Sequence, residues 1–271
     1  MALNGLGDQA AGAVSGARSG AAPRPAADFL VIGVQKAGTT ALYAYLRQHP
    51  ELYLPEVKEA HYFDDESRDW GGPDHADYER LFLNGAAAAA RGEVTPIYIY
   101  WPRCLERIRA YNPAMRLVLL LRDPVERAWS HWRMERSRGA ETADFSWCIR
   151  EGRARLAASE PAGFHREYSY VERGFYGRQI QRLYSLFPRD QVLILRSDDL
   201  DADPTGTVGR VSAFLGVGAP PPLAPQRVHV GQEVKGARLA AADADYLRAL
   251  YADDDRLLTE LTGLSFQTTS G

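Results

Sequence analysis

Residues 29–46, from Phe29 to Leu46, read FLVIGVQKAGTTALYAYL. Phe29-Leu30-Val31-Ile32 is an apolar run of strand formers, too short for a helix of its own. The loop Gly33-Val34-Gln35-Lys36-Ala37-Gly38 follows, and Thr39 and Thr40 open a segment with Leu42, Tyr45, Leu46 and His49 at helical spacing. Strand, glycine-containing turn and helix start in that order leave free backbone N–H groups at the positive end of a helix dipole, where a phosphate binds. Lys36 adds a full positive charge, and the threonine hydroxyls add donors. The pattern is not GxxxxGK[ST], in which Lys stands at the helix entrance and Ser/Thr binds Mg²⁺. Here Lys36 precedes Gly38 inside the loop. Taken alone, the loop also reads as an ordinary strand-to-helix turn with a surface lysine.

A second unit of the same kind supplies a second phosphate contact. Leu117 to Leu121 has the composition of a buried strand and ends in Arg122. Asp123 and Pro124 then start a helix, as N-cap and first helical residue. Val125, Ala128, Trp129 and Trp132 form its apolar stripe. An arginine at a strand end grips phosphate in bidentate fashion.

QKAGTT at residues 35–40 together with LRDPVERAWSHW at 121–132 resembles the sulfotransferases that use 3′-phosphoadenosine 5′-phosphosulfate (PAPS). The closer resemblance is to the heparan-sulfate-type and the bacterial carbohydrate or natural-product branch. It covers roughly residues 28–217, with a weaker tail to about 264. It implies an α/β fold, a P-loop-like parallel sheet with helices on both faces. Strand–helix alternation with apolar strands points the same way. Ligands of such sheets sit beyond the carboxyl ends of the strands, where Lys36 and Arg122 both fall. The resemblance implies that Lys36, Ala37, Gly38, Thr39 and Thr40 hold the 5′-phosphosulfate, and Arg122 and Ser130 the 3′-phosphate.

At 271 residues the chain can bury a core in one domain, with 28–271 as that domain and 1–27, rich in Ala and Gly, as a disordered leader. A net charge of −3 gives no global field for nucleic acid or membrane, so a phosphate site depends on local Arg and Lys. Cys104 and Cys148 form no CxxC, and neither a disulfide framework nor a zinc site is indicated. A reduced, cytoplasmic setting is the default. No run has the length of a membrane span, and the N-terminus does not read as a signal peptide.

The segment Glu56-Val57-Lys58-Glu59-Ala60-His61-Tyr62-Phe63-Asp64 holds a lysine, a carboxylate and an imidazole close together. Either acid–base group, beside a cationic phosphosulfate site, could take a proton from an acceptor hydroxyl. The resemblance places the catalytic base at Glu59, with His61 beside it. Both are also expected at the acceptor. In Gly92-Glu93-Val94-Thr95-Pro96-Ile97-Tyr98, Glu93 and Thr95 are candidates for acceptor contact, by resemblance; a strand end and a Pro turn is the other reading. In the resembling family the region matching 139–172 varies and helps cover the acceptor, so a mobile lid is one reading of it; its role is not legible in the sequence. Tyr176 reads as nucleotide contact or core. Lys235 and Gly236, with Arg238 nearby, match loosely a late basic-glycine loop over the nucleotide phosphates, or are a solvated loop. Asp253 to Asp255 reads as a solvated acidic run on a final helix of about Asp243 to Leu261.

The reaction implied is in-line sulfuryl transfer to a hydroxyl or amine of a carbohydrate, lipid or natural-product acceptor, leaving adenosine 3′,5′-bisphosphate. Glu59 removes the acceptor proton, and Lys36 stabilises charge on the bridging oxygen. No metal is called for, and none of the six histidines pairs at ligand spacing. Two alternatives stand beside this. A P-loop small-molecule kinase would need Ser/Thr directly after a helix-entrance Lys and an acidic strand end, whereas this strand ends in Arg122. A non-catalytic nucleotide-binding protein of the same fold would lack the chemistry of Glu59. Acceptor identity and oligomeric state are not legible in the sequence.

Overall fold

The structure, a computed structural model, describes residues 25–223, 234 and 236–267. Its strands are β1 (Phe29–Gly33), β2 (Leu52–Tyr53), β3 (Ala90–Val94), β4 (Arg116–Leu121) and β5 (Val192–Arg196). They form one parallel sheet in the order β2-β3-β1-β4-β5. Phe29 lies opposite Gly92 on one side and Arg116 on the other. β1 is buried throughout, as a central strand with no polar face must be. The chain leaves β1 to build one side of the sheet and returns to build the other. Strand order therefore reverses at β1, and a crevice opens beyond the carboxyl ends of β1, β3 and β4.

Among the helices, α1 (Thr39–Leu46) packs on α8 (Pro204–Leu215), and α6 (Tyr176–Leu186) packs against α3 (Cys104–Tyr111) and α9 (Ala241–Thr262). The others are α2 (Ala76–Arg80), α4 (Pro124–Arg138), α5 (Phe145–Cys148) and α7 (Ser197–Ala202). The expected cap of α4 is present: the Asp123 carboxylate accepts from Val125 N and Glu126 N, each at 2.9 Å. Val125, Ala128, Trp129 and Trp132 are all buried, with the two indoles stacked at 4.9 Å.

Several expectations are corrected. Ala90–Val94 is a full internal strand rather than only a strand end. Its sequence, ARGEV, hides this. Gly92 is required there because a Cβ would lie 2.5 Å from both the Phe29 ring and its carbonyl oxygen. β5 is apolar in sequence, VLILR, yet it is an edge strand of the sheet and all of it but Leu195 is only partly buried. α7 was not foreseen. Residues 139–172 are a packed layer rather than a loose cover: Phe145, Ile149, Tyr170 and Val171 close a second core with α4 and α9. Of the acidic run, only Asp253 is solvated. Asp254 accepts from Gly177 N (2.7 Å) and Arg178 N (3.0 Å), capping α6 from another helix, and Asp255 accepts from Phe266 N at 2.8 Å. The ordered domain starts before residue 28. Ala27 is buried, and Ala26 N donates to the Tyr111 hydroxyl at 2.9 Å. Residues 1–24 of the expected leader lie outside the described residues.

Candidate active site

A cleft of about 1480 Å³ occupies the carboxyl edge of the sheet. Its walls are the loop after β1, the segment 58–61, Arg122, one face of α4, and Arg166 and Arg173.

The loop after β1 is tied down by Val34 N donating to Leu120 O (2.9 Å) and Ala37 N to Val34 O (3.2 Å). Lys36 and Gly38 both take positive φ, 74° and 92°. Gly38 is the left-handed N-cap that turns the chain into α1. At Lys36 the same conformation costs a side-chain-bearing residue about 1–2 kcal/mol, held in place by the loop's own hydrogen bonds. The Lys36 ammonium has the Met134 thioether at 3.5 Å, and among the described residues no carboxylate is within ion-pair distance. Its pKa is lowered by burial first, then by Arg138 against the opposing Glu135, and by Arg122 and Arg133. Ala37, Gly38, Thr39 and Thr40 line the cleft with it. Arg122 reaches toward Lys36 O and Glu126 Oε2, both at 3.4 Å, and Ser130 lines the same wall one helix face along. The two stretches expected to bind phosphate, distant in sequence, therefore line one cleft.

The segment after β2 joins them because Glu59 N donates to Val94 O at the carboxyl end of β3 (3.0 Å). Glu59 and His61 have φ of 64° and 50°, so both side chains come from strained backbone. His61 Nδ1 lies 2.9 Å from Asp64 Oδ2, and its Nε2 lies 3.6 Å from Glu59 Oε2. Lys58 contacts the other Glu59 oxygen. Asp64 is fully buried and also takes the Arg166 guanidinium. Hydrogen bonds to Asp64 and then Glu59 raise His61 to about 9. Burial pushes the Glu59 carboxyl up, but His61 and Lys58 outweigh it and hold it at about 2. At neutral pH the arrangement is thus carboxylate, imidazolium, carboxylate. An imidazolium has no lone pair to accept a proton, so both shifts favour a carboxylate over the imidazole as proton acceptor.

Glu93 and Thr95 were expected at the acceptor, but they lie behind this wall. They are 1% and 0% exposed, and Thr95 Oγ1 donates to Glu93 Oε2 at 2.6 Å. Burial raises the Glu93 carboxyl to about 7, against Thr95, Tyr98 and the Ala60 N–H, which lower it. The strand end buries them, and the next residues, Pro96 and Ile97, reach the cleft instead. Tyr176 is core: its buried hydroxyl donates to Arg122 O at 2.9 Å, holding the strand end from below. Gly236 is exposed with φ of 79°, and neither it nor Arg238 lines the cleft. Lys235 lies outside the described residues.

Sequence reading missed Arg133, Met134, Ser137 and Arg138, all on the wall. With Ser130 they stand at i, i+3, i+4, i+7 and i+8, one face of α4, so helical periodicity could have found them. Nothing local in the sequence marks Arg166, and Arg173 is marked only by opening the stretch Arg173-Gly174-Phe175-Tyr176-Gly177. Among the described residues, no cluster of three or more His, Cys, Asp or Glu is placed to hold a metal, and no helix is long and apolar enough to cross a membrane.

Compared with known proteins, residues 26–230 match the family described as the sulfotransferase domain. Human heparan sulfate glucosamine 3-O-sulfotransferase 3B1 is 30% identical over 200 residues, 73% of this chain and 48% of the relative. Human heparan sulfate glucosamine 3-O-sulfotransferase 3A1 is 31% identical over 189 residues, 69% of this chain and 44% of the relative. The chain thus spans about half the length of these curated relatives. Among solved structures, a sulfotransferase from Alicyclobacillus acidocaldarius superimposes with a TM-score of 0.73 at 27% identity, covering 88% of this chain and 96% of the other.

Proposed function

Because this chain belongs to the sulfotransferase domain family, we propose that it transfers a sulfuryl group from PAPS to a hydroxyl or amine of a carbohydrate, lipid-linked or natural-product acceptor. The observation that carries this is one cleft holding two separate cationic strand-end sites and, facing them, an ionised Glu59. Bound PAPS supplies an activated sulfuryl group on a phosphate leaving group.

The residues fit that group. The Lys36–Thr40 loop offers amides, two hydroxyls and a partly desolvated ammonium that, among the described residues, has no carboxylate within ion-pair distance, which suits the phosphosulfate end. Arg122 and Ser130 suit the 3′-phosphate. Lys36, held among arginines, stabilises negative charge on the bridging oxygen. Glu59 takes the acceptor proton; His61, fixed by Asp64, orients the carboxylate and adds a positive charge beside the acceptor oxygen. Lys58 tempers the basicity of Glu59 until an acceptor displaces it. The kinase reading is not favoured, because β4 ends in Arg122 and Lys36 sits within the loop. The names of the relatives put a glucosamine-containing glycan first among acceptors to try.

Calorimetry tests the nucleotide. Adenosine 3′,5′-bisphosphate is expected to bind far more tightly than ADP or AMP, with EDTA present. Equal affinity for ADP, or strict dependence on Mg²⁺, would sink the reading. A screen of glycan, lipid and small-molecule acceptors with labelled PAPS, read by mass shift, then identifies the acceptor.

A further inference from the structure

Arg173 stands in a short 3-10 turn, Glu172–Gly174, just before α6, and its side chain is 2% exposed. Among the described residues no carboxylate lies within ion-pair distance of it, and its Nε has no hydrogen-bond partner. Its partners are neutral. Nη1 donates to the Gln35 side chain of the donor loop. Nη2 donates to the carbonyls of Arg166 (2.7 Å) and His165 (3.3 Å), and the guanidinium sits over the Tyr100 ring at 5.0 Å. A buried guanidinium without a counter-charge is costly. A fold keeps one where its geometry is needed.

That geometry spans two loops. The residue whose carbonyl Arg173 holds is Arg166, and the Arg166 side chain grips Asp64, donating also to Asp64 O at 2.7 Å. Asp64 in turn holds His61 at 2.9 Å, and His61 faces Glu59. The donor loop follows β1, whereas the base segment follows β2 and is pinned by its backbone to β3, the neighbour of β1; Arg173 adds a side-chain link between the two.

We propose that Arg173 is a positioning residue that registers the donor loop against the base segment, through Gln35 on one side and through Arg166, Asp64 and His61 on the other. The inference rests on reading 35–40 as the donor loop and 59–61 as the base segment. A planar fork meets Gln35 and two carbonyls at once; a lysine at the same place is a point donor and cannot.

Hydrogen exchange read by mass spectrometry tests it. In the wild-type protein, adenosine 3′,5′-bisphosphate is expected to slow exchange at the donor loop and also at 59–61. Arg173 lines the cleft, so Arg173→Lys lowers bisphosphate affinity; at saturating bisphosphate the donor loop is still protected, but 59–61 no longer respond. Without nucleotide, exchange at 59–61 rises at least about tenfold, the effect of losing one charged hydrogen bond. Gln35→Ala removes only the side-chain acceptor and is expected to uncouple the loops in the same way, which covers a failure of Arg173→Lys to fold. An unchanged response of 59–61 in both variants overturns the proposal. If the wild-type protein binds no bisphosphate, the functional reading fails by itself, and the nucleotide-free comparison still decides: equal exchange at 59–61 in variant and wild type overturns the registering role.

Discussion

Replacing Glu59 with glutamine keeps the side chain's shape and removes its basicity. The structure sets what else changes. His61 owes its raised pKa first to Asp64 and second to Glu59. In Glu59→Gln its pKa should therefore fall from about 9 but stay above the ordinary 6.5, because Asp64 remains at 2.9 Å. Losing a general base costs about 10²–10⁴ in rate, or roughly 3–5 kcal/mol of transition-state stabilisation. Lys36, Arg122 and Ser130 are untouched, so bisphosphate affinity should stay within a few-fold. The assay is turnover at saturating PAPS with one acceptor from the screen, beside calorimetry and an NMR titration of His61. His61→Ala should cost less, since the charged imidazole orients rather than accepts. The pH behaviour carries a sign. His61 has a raised pKa, so its contribution to stability is full below about 6.5 and is lost as pH rises through about 9. Glu59 has a depressed pKa, so its contribution is present above about 4.5 and is lost as pH falls through about 2. Near-normal turnover in Glu59→Gln with collapse in His61→Ala would refute the assignment and move the base to the histidine.

Lys36→Ala should damage turnover and bisphosphate binding together, because the ammonium meets both the leaving group and the bound nucleotide; loss of turnover alone, with affinity intact, would confine it to the chemical step. Asp254→Ala should leave the cleft intact yet cost about 1–2 kcal/mol by uncapping α6, lowering Tm by roughly 3–6 °C in calorimetric scans. An unchanged Tm would show that water caps α6 as well. Glu93 is a buried carboxyl raised to about 7, so it favours the folded state when protonated and weakens it as pH rises from about 4.5 through 7. Urea unfolding at pH 5 and 8 should show a smaller loss of stability in Glu93→Gln than in the wild type; equal losses would rule out titration of Glu93 in that range.

Much of this site is local chemistry and is legible as such. Phe29 to Leu46 and Leu117 to Trp132 each hold a complete strand, turn and helix start, so both units could be read from contiguous residues. Glu59 and His61 stood out as a carboxylate and an imidazole close together. What was missed was non-local. ARGEV does not look like an internal strand until Phe29 lies across Gly92, and VLIL looks buried until β5 turns out to be the sheet edge. Asp254 looks solvated until α9 crosses the start of α6. Tyr176 and Glu93 each had two readings, contact or scaffold, and both are buried, because burial is a property of the packed chain.

The sequence by itself determined the parallel α/β fold and two loops able to bind phosphate, because short-range periodicity, capping and turn chemistry reside in neighbouring residues. Only the tertiary structure decided that Lys36, Arg122 and Glu59 face one cleft, since strand order sets which carboxyl ends are adjacent. It also decided which charged groups surround Glu59 and His61. Asp64 is near His61 in sequence, but the buried contact with Arg166 that fixes it comes from a hundred residues away. A pKa is set by charges in space, and the chain's fold brings those charges together.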